Sequence, residues 1–417
     1  MRYTVGYMLE ELNPFRPGAG LQPPELTGRE EQLAAFEALV LRSKNRLTDR
    51  GVIMSGLRGV GKTALLNRLY FQAEQHQWMT VCIEGQTTGQ GAATVRQRLG
   101  ALIQAGLAQF SAAHRIQAGL EELRQLVGDF TFSLGPAQVR HTAPSRTNTG
   151  LFDMDVQALI EELAQLAKKK KAAFGLFIDE MQDLEPELVS ALLVTQHRCQ
   201  QRDLPFYVIG AGLPNLPASL AARRSYAERL FHYSIVDALP PQAAASALTI
   251  PAERQGCSFT PEAVELLVKE SRGYPYFLQE FGKATWNIAQ DHTFTRDDAL
   301  AGIHVGNSHL DAGFFPSRWL RASDLERSYL QAMATLPETH PRSAAVAHSL
   351  GLAPSDLTKT RASLISKGLI YSPERGQVAF TVPGMNDYIA RQIDALGEEP
   401  HPALTRRPAR ALGQGHS

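Results

Sequence analysis

The chain has 417 residues, 44% hydrophobic and 20% charged, ordinary values for a globular protein. That length is more than one core supports and predicts about two or three domains. Lys+Arg and Asp+Glu both number 42, so no global positive field points to nucleic acid, and any such contact must be local. The N-terminal stretch 1–7 lacks an apolar signal-peptide core, and apolar runs such as 172–178 are too short to span a bilayer. Cys82, Cys199 and Cys257 are scattered without C-x-x-C spacing, an odd set that suits a reducing, cytoplasmic compartment and no structural zinc.

Residues 13–24 are rich in Pro and Gly and are expected to lie extended over the surface, as part of an N-terminal segment 1–24. Leu26-Thr27-Gly28-Arg29-Glu30 then opens a helix that continues through Val40. Gly51-Val52-Ile53-Met54-Ser55 reads as a buried strand, and Ala64, Leu65, Leu66, Leu69 and Tyr70 repeat at helical spacing. Between strand and helix lie Gly56, Leu57, Arg58, Gly59, Val60, Gly61, Lys62 and Thr63, matching G-x-x-x-x-G-K-[ST] at every fixed position. A strand that turns through glycines into a helix N-terminus aims backbone N–H groups and the positive end of the helix dipole at one spot. That geometry suits a polyphosphate: Lys62 is expected at the β/γ oxygens and the Thr63 hydroxyl on Mg²⁺. The spacing predicts that this chain binds a nucleoside triphosphate. No Asn-Lys-x-Asp segment of the kind a guanine site needs is present.

A strand over 79–83 and an amphipathic helix over 94–110 follow, then a polar, aperiodic stretch over 134–150 expected to be a flexible insertion. A helix over 155–168 ends in Lys168-Lys169-Lys170-Lys171. This run reads better as a solvated terminus complementing the helix dipole than as a nucleic-acid patch. Phe174-Gly175-Leu176-Phe177-Ile178 is an apolar strand ending in Asp179 and Glu180. Downstream of a full phosphate loop, Asp179 is expected to act through water on Mg²⁺ and Glu180 to serve as the base that activates the attacking water. Gln182 and Asp183 are expected to cap the next helix, with phosphate sensing as the alternative. That helix covers 186–200, and a further strand covers 206–212.

Arg229 precedes a strand expected over 233–236, and helical patterns run over 243–249, 261–271, 275–289 and 295–301. A linker containing Phe314-Phe315-Pro316-Ser317 leads to helices over 325–333, 343–350 and 354–367. A hairpin follows, formed by 369–371 and 378–380 around a Pro373-Glu374-Arg375-Gly376 turn. Helix-turn-helix plus hairpin reads as a winged helix. On DNA, Ser355, Thr358, Lys359, Arg361 and Ser363 would face outward on the recognition helix, with Arg375 on the wing. Winged helices also bind proteins. The tail after Pro400 is expected to be disordered.

Thr27-Gly28-Arg29-Glu30, the phosphate loop, the Asp179-Glu180 strand, Tyr226-Ala227-Glu228-Arg229, Gly273-Tyr274-Pro275 and the winged helix together resemble bacterial AAA+ ATPases of the origin-recognition type. The resemblance runs from about Leu12 to Arg391. It implies an α/β fold: a P-loop NTPase parallel sheet (the AAA+ core, 25–238) with the Asp-Glu strand beside the P-loop strand. It further implies a helical lid (239–315), a winged-helix domain (316–395) and a tail (396–417). ATP and Mg²⁺ would be the ligands, and nucleotide-dependent oligomers are implied. In such proteins Arg229 would be the arginine finger offered to a neighbouring subunit. Arg223 and Arg224 are the alternatives, and a structural ion pair with Glu228 is the plainer reading. Gly273-Tyr274-Pro275 resembles the Gly-x-Pro motif of STAND-type ATPases, which makes Pro275 a candidate adenine contact as well as a helix-initiating proline. AAA+ proteins place a polar γ-phosphate sensor at the tip of the 206–212 strand. This chain has Gly-Ala-Gly-Leu-Pro there, with Asn215 the nearest polar candidate. The expected activity is slow ATP hydrolysis in a switch coupled to DNA binding or assembly. The alternative is a non-enzymatic scaffold that binds nucleotide and recruits a protein.

Overall fold

The computed structural model describes residues 10–18, 20–86, 91–133 and 147–396. Most of the insertion expected at 134–150 lies outside these residues, as do residues 1–9 and the tail beyond 396. The chain divides into two compact units, Met1–Ser308 and His309–Ser417.

In the first unit, α1 (Glu30–Lys44) leads into β1 (Gly51–Ser55), α2 (Lys62–Gln75), β2 (Met79–Glu84), α3 (Gly91–Ala113), α4 (Leu120–Ser133) and α5 (Phe152–Lys169). These are followed by β3 (Phe174–Asp179), α6 (Pro186–Gln201), β4 (Phe206–Gly212), α7 (Leu216–Arg223), α8 (Ala227–Leu230) and β5 (Phe231–Ile235). All five strands pair in parallel, in the order β2-β3-β4-β1-β5. Helices cover the sheet, so its inner strands are nearly continuous apolar runs: β4 is buried throughout and β3 as far as Ile178. β5 is one edge of the sheet, and beyond its buried Phe231 it is largely open to solvent.

The expected adjacency of the Asp-Glu strand and the P-loop strand is corrected by this order. β4 lies between β1 and β3, with Ile209 paired to both Val52 and Phe177. Thr63 still meets β3 because α2 packs across β4, β3 and β2 and carries its first turn over the intervening strand. The lysine run closes α5 as expected, with Lys169, Lys170 and Lys171 exposed.

The helical part of this unit comprises α9 (Pro241–Arg254), α10 (Pro261–Ser271), α11 (Pro275–Ile288) and α12 (Arg296–His309). A two-residue parallel pair, β6 (Ser258–Phe259) with β7 (Thr293–Phe294), ties its loops. Three of the four helices start with proline, whose missing N–H costs nothing at a first turn.

In the second unit, the expected linker around Phe314 is helical instead. A wide turn over Leu310–Phe314 runs into α13 (Pro316–Trp319) because Phe315 is buried and stacks on Tyr388, 5.1 Å away. Then come α14 (Asp324–Thr335), α15 (Ser343–Ser349), α16 (Thr358–Ser366), β8 (Ile370–Tyr371), β9 (Ala379–Phe380) and α17 (Met385–Leu396). β8 and β9 are antiparallel, and Arg342 bridges to Gln377 at the hairpin. α17 packs on α14.

Candidate active site

The loop after β1 is anchored at its first residue, whose N–H donates to the Gly212 carbonyl at 3.1 Å. Gly61 then adopts φ 93°, a region closed to most side chains, and forms the N-cap of α2. A Cβ at Gly61 would meet nothing within 4 Å, so the loop opens there as a cradle. Lys62 is only 6% exposed, and its ammonium donates to the carbonyls of Gly56 (3.0 Å) and Leu57 (2.7 Å). Burial pushes its pKa down to about 8; the Glu180 and Asp179 carboxylates oppose that shift and Arg58 adds to it. The Arg58 side chain is half-buried, and its Nε has no partner among the described residues.

Thr63 Oγ1 donates to Asp179 Oδ2 at 2.7 Å, the contact that joins the P-loop helix to the end of β3. Burial raises the Asp179 pKa, against hydrogen bonds from Thr63 and from the Glu180 N–H. A hydroxyl and a carboxylate side by side are hard oxygen donors of the kind Mg²⁺ takes, and the open cradle of N–H groups fits a polyphosphate.

Glu180 adopts the left-handed conformation, φ 45° and ψ 46°, unusual for a residue with a side chain. Surrounding contacts hold it there. Its N–H donates to Asp179 Oδ1 at 3.0 Å, and a Cβ at Gly85 would lie 2.3 Å from its carbonyl oxygen. Its carboxylate accepts from Gln182 Nε2 at 2.6 Å. The expected capping role of Gln182 is thereby corrected: α6 starts at Pro186 with Glu185 at its cap, and the Gln182 amide turns back into the site. Asn215 sits at the cap of α7, and among the described residues its buried Oδ1 has no partner and it makes no bond to the P-loop or the acidic pair.

Two further features touch the P-loop. Arg29, 5% exposed, donates to the carbonyls of Gly28 (3.1 Å), Val60 (3.0 Å) and Asp237 (2.6 Å), so it braces the loop against the chain leaving β5. It is a buried strut rather than a surface helix cap. The Tyr274 hydroxyl packs on the loop, since a Cβ at Gly59 would come within 2.7 Å of it. Pro275, half-buried, is the first residue of α11.

The extended N-terminal segment is pinned, not loose. The Asn13 amide donates to Lys283 O and Asn287 Oδ1, Phe15 is 2% exposed, and Arg16 N–H donates to Gln279 Oε1 at 3.0 Å. Farther along, Gln22 Nε2 donates to the Ala64 carbonyl in the first turn of α2. The segment therefore runs from α11 to the P-loop helix.

Arg229 is exposed on α8 and forms no ion pair with Glu228 or any other described carboxylate; Arg223 and Arg224 are also exposed. In the second unit, Lys359 and Arg375 are exposed. Arg361 and Ser363 depart from the expected outward set. Arg361 is half-buried, with Nη2 donating to Ser372 at 3.0 Å, and Ser363 Oγ donates to Glu326 Oε1 at 2.7 Å. The helix starts at Thr358 rather than 354, and the buried Glu326 carboxylate recruits donors from its inner face.

Residues 25–209 match the family model of the AAA ATPase domain, and residues 312–389 match a family described as a domain of unknown function (DUF8462). No curated protein matches the chain. Among solved structures, a Walker-type ATPase of Pyrococcus abyssi is 15% identical, with 91% of this chain and 99% of that one covered and a TM-score of 0.58. The Thermotoga maritima RuvB Holliday junction branch migration motor (16% identical, 91% and 99% covered) and the Aeropyrum pernix ORC1 protein in complex with DNA (14%, 89% and 94%) both score 0.43. Among the described residues no helix is long and apolar enough to cross a membrane. Over residues 25–209, which carry the P-loop and most of the parallel sheet, the chain is similar to the AAA ATPase domain.

Proposed function

We propose that the chain is an ATP-hydrolysing molecular switch whose nucleotide state governs DNA binding by its C-terminal unit. The 2.7 Å bond between Thr63 and Asp179, with Glu180 next in the chain, carries this reading. That bond brings a hydroxyl and a carboxylate together beside the phosphate loop, and Glu180 is the candidate base next to them.

With the Gly56 N–H anchoring the loop to Gly212, the N–H groups from Leu57 to Thr63 would hold the phosphates of ATP. Lys62 would exchange its two loop carbonyls for β and γ oxygens. Thr63 and Asp179 would hold Mg²⁺, which when bound neutralises charge developing on the phosphates. Glu180 would take a proton from water as the water oxygen bonds to the γ-phosphorus and the bond to ADP breaks, giving ADP and phosphate. Arg229, exposed and unpaired, suits donation to the site of a second copy. Pro275 is the candidate contact for the base.

The three helices α14, α15 and α16 and the β8–β9 hairpin support a winged-helix reading of the C-terminal unit, with the exposed Lys359 and Arg375 as its DNA contacts; Arg361 would join them only by releasing Ser372. The inward bonds of Arg361 and Ser363 favour a second reading, a STAND-like scaffold that binds nucleotide and recruits a protein through this unit.

Turnover separates the two. The purified chain should hydrolyse Mg·ATP slowly, at a rate per subunit that rises with protein concentration. Glu180→Gln should bind ATP as the parent does and turn over about a hundredfold more slowly or worse. Unaltered turnover in Glu180→Gln would remove Glu180 as the base, ATP binding without turnover in the parent would leave the scaffold, and a rate per subunit flat on dilution would remove Arg229 from a trans role.

A further inference from the structure

The tip of β4 has no polar side chain where a phosphate-sensing residue was expected, and its glycines have another use. A Cβ at Gly210 would lie 2.6 Å from Met181 Sδ, and one at Gly212 would lie 2.4 Å from Gln182 Oε1. The short turn Met181–Asp183 after β3 is therefore seated in β4, with Met181 (1% exposed) filling the first gap and the Gln182 amide the second.

The two ends of that amide have fixed partners. Its Oε1 accepts the Leu213 N–H at 3.0 Å, and a backbone N–H can only donate, so the amide orientation is set. Nε2 must then face the carboxylates, donating to Glu180 Oε2 at 2.6 Å and lying 3.3 Å from Asp183 Oδ2. A bond of 2.6 Å from an amide to a carboxylate is short and charge-assisted. The left-handed backbone at Glu180 is strain that persists only where neighbours over-determine it, and Gln182 is one of those neighbours.

We infer that Gln182 is a positioning residue that holds the Glu180 carboxylate against the tip of β4, supplying from the β3 turn the polar link that β4 itself lacks. This rests on Glu180 being the base. Gln182 acts through Glu180 and takes no proton itself.

The test uses the full chain and compares ATP turnover and nucleotide affinity in Gln182→Ala, Gln182→Met, Glu180→Gln and the double variant Glu180→Gln/Gln182→Ala. Gln182→Met keeps the volume in the glycine seat, so it guards against a simple packing loss. Both Gln182 variants should lose kcat by about tenfold to a hundredfold, the scale of a misplaced base, with KM and nucleotide Kd within about twofold of the parent. In the double variant the Gln182 change should add nothing to the loss already caused by Glu180→Gln, because residues acting as a unit are non-additive. Gly212→Ala, whose methyl displaces the amide, should reproduce the kcat loss. Parental kcat in Gln182→Met, proportional losses in kcat and affinity, or additive losses in the double variant would each overturn the inference. Parental turnover in Glu180→Gln alone would remove the base assignment beneath it, and is read from a different variant.

Discussion

Arg29 shows how much a single buried side chain does at this site. Its guanidinium satisfies carbonyls of the P-loop and of the chain after β5, and burial lowers its pKa against the attraction of Asp237 and Glu30. Truncation would leave the Val60 and Asp237 carbonyls without their donor, a cost of about 1–3 kcal/mol for each group that stays buried. Arg29→Ala should therefore lower the thermal midpoint of the first unit and weaken ATP binding together, and Arg29→Lys should restore little, because an ammonium lacks the planar fork. Calorimetry and nucleotide titration of both variants check this; unchanged midpoint and affinity in Arg29→Ala would refute the strut. The P-loop and Asp179-Glu180 were legible in the sequence because their chemistry is fixed by spacing along one turn. Arg29 and Gln182 were not, because each is defined by backbone partners far away in the chain. Gln182 bonds Leu213 thirty-one positions on, and a backbone N–H leaves no mark in side-chain pattern.

Among the elements, α16 is organised from beneath. Glu326 completes a capping box with Ser323 at the start of α14 and also accepts from Ser363 and from Lys367 Nζ at 2.6 Å. Burial raises its pKa, but these hydrogen bonds outweigh it and bring the group down to about 2. A carboxylate with a lowered folded-state pKa contributes stability above its unfolded value, near 4.5, and loses it as pH falls toward 2. Glu326→Gln should destabilise the C-terminal unit by about 2 kcal/mol at pH 7. The parent and variant thermal midpoints should converge as pH is lowered from 5 to 2. A gap that stayed constant across that range would show that the charge is not what matters. The same carboxylate explains why helical spacing misjudged the outer face of α16: its phase depends on which residues Glu326 draws inward. The strand order was unreadable for a related reason. β1, β3 and β4 are buried on both faces, so nothing in their own patterns says that β4 lies between β1 and β3. The four helices of the first unit's C-terminal part were readable from apolar spacing, three of them also from an initiating proline, whereas α4 and α17 were passed over.

For the whole molecule, the proposal couples the AAA-like region at 25–209 to the C-terminal unit through nucleotide state. Net charge is balanced overall, so the proposed DNA affinity would have to come from a local set, for which the exposed Lys359 and Arg375 are the foremost candidates. Few phosphate contacts mean a modest salt slope, near one unit for each lysine or arginine engaged. The most direct measurement is fluorescence-anisotropy titration of mixed duplex DNA with the full chain. It is made without nucleotide, with ATP and with ADP, at two salt concentrations. The account predicts salt-sensitive binding whose affinity changes between ATP and ADP and falls in Lys359→Ala and Arg375→Ala. Absence of binding in every nucleotide state, or binding indifferent to nucleotide, would contradict it and assign the C-terminal unit to a protein partner.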